Sequence, residues 1–136
     1  DALESQGLCA RPDLILPGTF RFEAGYQGAA HLMRRSPHPT AIFAHNDRMA
    51  LGAMRWLMEH GYRIPEDVSV AGFDDIAQAA QAAPPLTTVR QTPVDIGRRA
   101  AQVLMATIEE RPSTALDTEV PVTLVIRRST GPSPQR

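Results

Sequence analysis

Residues 40–45, TAIFAH, constrain the fold of this chain more than any other stretch. The run has strand length and is apolar almost throughout, without the alternation of a sheet that keeps one face wet. Such a strand belongs in a parallel sheet, buried on both faces. Ser36-Pro37-His38-Pro39 breaks the chain before it, and Asn46-Asp47 supplies helix-cap chemistry after it. The same pattern recurs along the chain. Residues 13–17 form a short extended candidate closed by Pro17-Gly18, and 22–35 read as a helix with Phe22, Tyr26, Ala29, Ala30 and Met33 on one face. Residues 48–60 make a strong helix stopped by Gly61, and 68–72 a strand that runs into a Phe73-Asp74-Asp75 loop. Residues 76–83 can make one or two helical turns before Pro84-Pro85. Then follow an extended segment at 86–90, a long helix at 94–110 and a last strand at 119–127. Strands alternating with helices predict an α/β fold with a parallel sheet and right-handed crossovers, in which ligands sit beyond the carboxyl ends of the strands.

A length of 136 residues suits one domain, and 43% hydrophobic with 21% charged residues is ordinary for a globular chain. The net charge of −1 gives no basic field towards nucleic acid or an anionic membrane, so any DNA contact must come from another segment. Cys9 is the only cysteine, which excludes an internal disulfide and a thiolate metal cluster and fits a reducing, cytoplasmic setting. No apolar run approaches the roughly 20 residues of a membrane span. The opening DALESQGL reads as the last turns of a helix stopped at Gly7, and no Met begins it. Both suggest a piece of a longer protein.

The strand-end rule selects His45-Asn46-Asp47 and Phe73-Asp74-Asp75. Asn46 and Asp47 can each cap the following helix; one cap suffices, which frees the other side chain for a ligand. Asp74 and Asp75 repel one another, and a turn with no further duty gains little from both. Carboxylates and amides suit hydroxyl-rich ligands, and Phe20 or Phe73, each placed in a loop after a strand, can either stack on a sugar ring or pack in the core. The four histidines do not form a spaced zinc pair, and the glycines make neither GxGxxG nor a phosphate loop, so neither metal nor cofactor is expected. Ser36 and Ser69 lack the glycine-flanked elbow of a nucleophile. Paired carboxylates at strand ends leave a glycosidase as the enzymatic alternative. The helix at 48–60 carries two apolar stripes, Ala50, Ala53 and Leu57, then Leu51, Met54 and Met58. The second means deep burial or a partner chain, with Arg55 and Trp56 nearby as anchor types.

The run PTAIFAHNDRMALGAMRWLMEHGYRIPEDVSVAGFDDI, followed by PPLTTVRQ from Pro84, is similar to the LacI/GalR family of bacterial repressors, and weaker similarity extends to about Thr130. The resemblance implies a type I periplasmic-binding-protein-like sensor of two α/β subdomains, each built on a doubly wound parallel sheet, with effector in the cleft between them and this chain holding mostly the C-terminal one, incomplete. Residues 1–91 would belong to the C-terminal subdomain, without its first strand. Residues 92–118 would cross back as a helix of the N-terminal subdomain, 119–130 would return, and 131–136 would be a loose tail. It further implies that Asn46, Asp74 and Phe20 meet the effector, a sugar, with Asp47 and Phe73 beside them. Leu51, Met54, Arg55, Met58 and Ala82 would form a homodimer surface, and Val89, Arg90, Gln91 and Val120 would flex as hinges. Pro93 stands where several family members carry an aromatic ring. A helix-turn-helix head outside this chain would hold operator DNA, and the whole would be a binding and switching protein with no catalysis. A periplasmic sugar-binding protein that feeds a transporter is the alternative with the same fold.

Overall fold

A computed structural model describes residues 3–7, 9, 11–109 and 119–134. The elements follow the order α1 (Phe22–Leu32), β1 (Ala41–Phe43), α2 (Asp47–Glu59), β2 (Ser69–Asp74), α3 (Ala77–Gln81), β3 (Thr87–Arg90), α4 (Pro93–Ile108) and β4 (Thr123–Val125), after two short 3-10 turns at Glu4–Gln6 and Pro12–Leu14. The strands form one sheet in the order β1-β2-β3-β4, with the first two pairings parallel and β3–β4 antiparallel. The fold is thus α/β as expected, with an antiparallel edge on the parallel sheet.

Asn46 caps α2, and its extended backbone (φ −151°) lets the side-chain oxygen accept from the Met49 N–H at 2.9 Å. Beyond the helix, Gly61 takes a left-handed φ of 81°, which ends the helical path. Helix α2 lies against the sheet through Ala50, Ala53 and Leu57, and α1 lies along α2. The two helices approach so closely that a Cβ at Gly52 would collide with the Phe22 carbonyl, and one at Gly25 with the Met49 carbonyl. The core joins Ala29, Leu32 and Met33 of the first helical segment to Ile42, Val68, Val70 and Leu86 of the sheet region. Past β4 the chain runs back along the starts of β2 and β3, where buried Ser129 donates to the Val70 carbonyl and accepts from the Thr87 N–H.

Four expectations need correction. Residues 13–17 form no strand; Pro12–Leu14 close a 3-10 turn, and extended Ile15 finds no strand to pair with among the described residues. Strand β1 is not buried on both faces. Ile42 faces the helices, whereas Phe43 is 62% exposed on the opposite face, which no described helix covers. Phe73 and Asp74 lie inside β2 and not in a loop, because both pair in register with β3. The final strand is only Thr123–Val125, since pairing with β3 stops at Thr88. Residues 110–118, part of the expected crossover, and 135–136, part of the expected tail, lie outside the described residues. No described helix is long and apolar enough to cross a membrane.

Candidate functional site

The carboxyl ends of β1, β2 and β3 bring together three chain segments. After β1, Asn46 spends its amide in two directions: while its oxygen caps α2, its Nδ2 donates to the Phe20 carbonyl at 3.0 Å. This bond fixes the loop before α1, where Phe20 sits at a left-handed φ of 59° and is 61% exposed. Phe20 and His45 line a concavity of about 530 Å³ with Ile15, Leu16, Pro17, Gly18 and Met49. Asn46 itself is buried, 9% exposed, with both ends of its amide engaged within the chain.

Asp47 points the other way. It is wholly buried, accepts from the Thr88 hydroxyl at 2.5 Å and from the Ile76 N–H at 2.9 Å, and so ties the start of α2 to β3 and to the β2–α3 connection. Burial raises its pKa above the usual carboxylate range, with the nearby charge of Asp74 adding to the rise against the hydrogen bonds from Thr88 and Ile76. With the residue wholly buried, the ligand contact expected of it has no open face, and its carboxylate braces the start of α2 instead.

The two carboxylates after β2 also divide their duties. Both occupy positive φ, 116° at Asp74 and 59° at Asp75, a region that L residues other than asparagine and aspartate rarely visit. Asp75 turns inward, its side chain 8% exposed, and forms ion pairs with Arg127 at 2.5 Å and Arg90 at 2.6 Å. Burial opposes its ionisation, yet the two guanidiniums outweigh that and hold its pKa below the ordinary value. Asp74 stays half-buried and, among the described residues, accepts from Gln91 Nε2 at 2.5 Å. Phe73, half-buried, lies on the sheet face opposite the helices with Phe43 and Val89. Of the hinge candidates, Val89 and Arg90 pair across to Leu124 and Thr123, Gln91 follows directly, and Val120 precedes β4.

On α2, Met54 is 2% exposed and belongs to the chain's own core, so for this residue the burial alternative holds. It floors a groove of about 530 Å³ walled by Phe22, Tyr26, Leu51, Arg55, Met58 and Ala82. Glu59 accepts from the Tyr26 hydroxyl at 2.7 Å and from Arg55 at 2.5 Å, which lowers its pKa and closes one end of the groove.

The sequence reading missed three roles. Arg127 as the partner of Asp75 and Thr88 as the partner of Asp47 carry no local signal, because 52 and 41 residues separate the partners. Gln91 as the partner of Asp74 was within reach, since both ends of a parallel strand pair lie at one edge.

Residues 1–130 match the periplasmic binding protein-like domain family. The chain is 42% identical over 110 residues to the HTH-type transcriptional repressor PurR of Haemophilus influenzae, covering 81% of this chain and 33% of that protein. It therefore spans about a third of that relative's length. A regulatory protein of the LacI family from Chloroflexus aggregans superposes with a TM-score of 0.82 at 36% identity, over 96% of this chain and 47% of the other. The transcriptional regulator CelR in complex with cellobiose gives 0.80 at 34% identity, over 94% and 39%.

Proposed function

The chain belongs to the periplasmic binding protein-like domain family, in the form carried by LacI-type regulators, and on that premise we propose that it is the effector-sensing and dimer-forming part of a transcriptional repressor. The observation that carries this reading is the half-buried Asp74 carboxylate at the carboxyl end of β2, in the same parallel sheet whose β1 leads into Asn46, the residue that anchors the loop of exposed Phe20. A carboxylate acceptor for hydroxyl or N–H donors, with an exposed aromatic ring in a loop tied to the same strand ends, suits a small polar ring compound, and the cellobiose complex of the CelR neighbour favours a sugar.

Effector binding acts by preferring one closure of this lobe against a second lobe, with Val89, Arg90, Gln91 and Val120 taking up the change. Operator DNA is held by a helix-turn-helix head elsewhere in the protein, working in the cytoplasm. Helix α4, with no buried residue in this chain, packs on the other lobe. The groove of Leu51, Arg55, Met58 and Ala82 seats a second copy. The protein performs no catalysis of its own.

Calorimetry of the intact protein against a panel of mono- and disaccharides, cellobiose included, and of purine bases tests this reading. Saturable binding of one class, weakened by Asp74→Ala, is expected. A panel that gives no heat, or binding indifferent to Asp74, overturns it.

A further inference from the structure

We propose that Gln91 is a positioning residue that couples the occupancy of Asp74 to the exit of β3. The inference rests on the sensor reading and assigns the first step of its switch.

Two consecutive residues at the end of β3 hold two consecutive carboxylates at the end of β2: Gln91 donates to Asp74 at 2.5 Å, and Arg90 to Asp75 at 2.6 Å. The two bonds differ in kind. Asp75 is also clasped by Arg127, whose side chain is 16% exposed and donates in addition to the Leu86 carbonyl at 2.8 Å, so that end is pinned by charge and burial. Asp74 is held by one neutral amide at a half-buried position. A charged, enclosed pair resists exchange, whereas a single neutral donor at the margin of water can be replaced or shared.

Asp74 therefore has one oxygen engaged by Gln91 and one to offer. A donor that reaches this carboxylate either completes a chain from Gln91 through Asp74 to the ligand or takes the place of Gln91. In both cases the side chain of Gln91 senses the event. Gln91 is followed by Thr92 at the start of α4 and Pro93 in its first turn, so its rearrangement acts on the lever that leaves this lobe. The Asp75 pair meanwhile keeps the turn in place, and the change is directed into the strand exit.

The test uses the intact protein, with Gln91→Ala, the equally long Gln91→Glu, Asp74→Ala and the double variant Asp74→Ala/Gln91→Ala. Thermal melts verify that each folds. Hydrogen exchange is then followed over residues 87–96 with and without the compound from the sugar and purine panel that the unsubstituted protein binds. The unsubstituted protein is expected to show an exchange change of about tenfold at residues 91–96 on binding, and Gln91→Ala and Gln91→Glu to lose it while still binding. Affinities should be non-additive, the double variant binding no worse than Asp74→Ala alone. Propagation undiminished in both Gln91 variants, or additive losses, overturns the coupling while leaving the sensor reading intact. Absence of binding to every panel compound overturns both.

Discussion

Thr88 donates its hydroxyl to Asp47 at 2.5 Å in the interior, so the second residue of the Asn-Asp cap spends its carboxylate on holding three segments together. Removing it as Asp47→Ala strands the Thr88 hydroxyl and the Ile76 N–H without an acceptor, a loss of about 2–4 kcal/mol in stability by denaturant titration. Asp47→Asn keeps one acceptor, for the Ile76 N–H, and its amide N–H can donate to the Thr88 hydroxyl oxygen, so it should lose less, about 1–2 kcal/mol. Equal losses in the two variants would show that the acceptor is not what matters.

Gly52 lies where α1 crosses α2, and a methyl group there meets the Phe22 backbone, which cannot swing aside as a side chain would. Gly52→Ala should destabilise by about 1–3 kcal/mol. A melting temperature unchanged from the parent would mean that the helices separate freely.

In the proposed sensor, Asp74→Ala should weaken effector binding by about ten- to a hundredfold, the equivalent of a lost charge-assisted hydrogen bond of roughly 1.5–3 kcal/mol. Operator affinity without effector should stay the same, read by a fluorescence titration with operator DNA. Loss of both together would point to a general folding defect.

Acid should weaken the fold through carboxylates whose pKa lies below the unfolded value. Arg63, through its side chain and its backbone N–H, lowers Asp67 to about 2, and Tyr26 with Arg55 lowers Glu59. Each stabilises above its unfolded pKa of about 4, and that contribution disappears as pH falls through the folded value. Asp47 has the opposite sign: its raised pKa means that stability is lost as pH rises past about 4. Urea titrations from pH 5 to about 2 should show a shallower decline for Asp67→Asn than for the parent. Parallel curves would contradict the assignment.

Val94, Leu104, Met105 and Ile108 on α4, with Phe43, Leu124 and Ile126 on the side of the sheet that no described helix covers, present large exposed apolar faces. As an isolated 136-residue chain it should bind hydrophobic dye and self-associate. A dye-silent monomer in analytical ultracentrifugation would show that these faces close on one another.

Much of the fold was legible along the chain. The α2 segment follows from its cap, its apolar spacing and Gly61, all within one stretch of sequence, and the parallel pairing of β1, β2 and β3 follows from strand-helix alternation. Strand limits were not, because pairing depends on a neighbour: residues 13–17 carry an apolar run yet find no strand beside them among the described residues, and β2 extends through Asp74 because β3 lies beside it. Met54 shows the same limit on α2, since spacing sets its angle on the helix but not whether the groove above it is filled from within or without.

The amino-acid order alone settled which segments are helices, to within a few residues at their ends, and which strand ends carry polar side chains, since caps, breakers and periodicity act over a few residues. Which member of each polar pair turns inward was decided only by the folded chain. Asp47 and Asp75 are committed to Thr88, Arg90 and Arg127, and Asp74 is left at the margin, because electrostatic partners are chosen by distance in space and these lie tens of residues away, or on the adjacent strand.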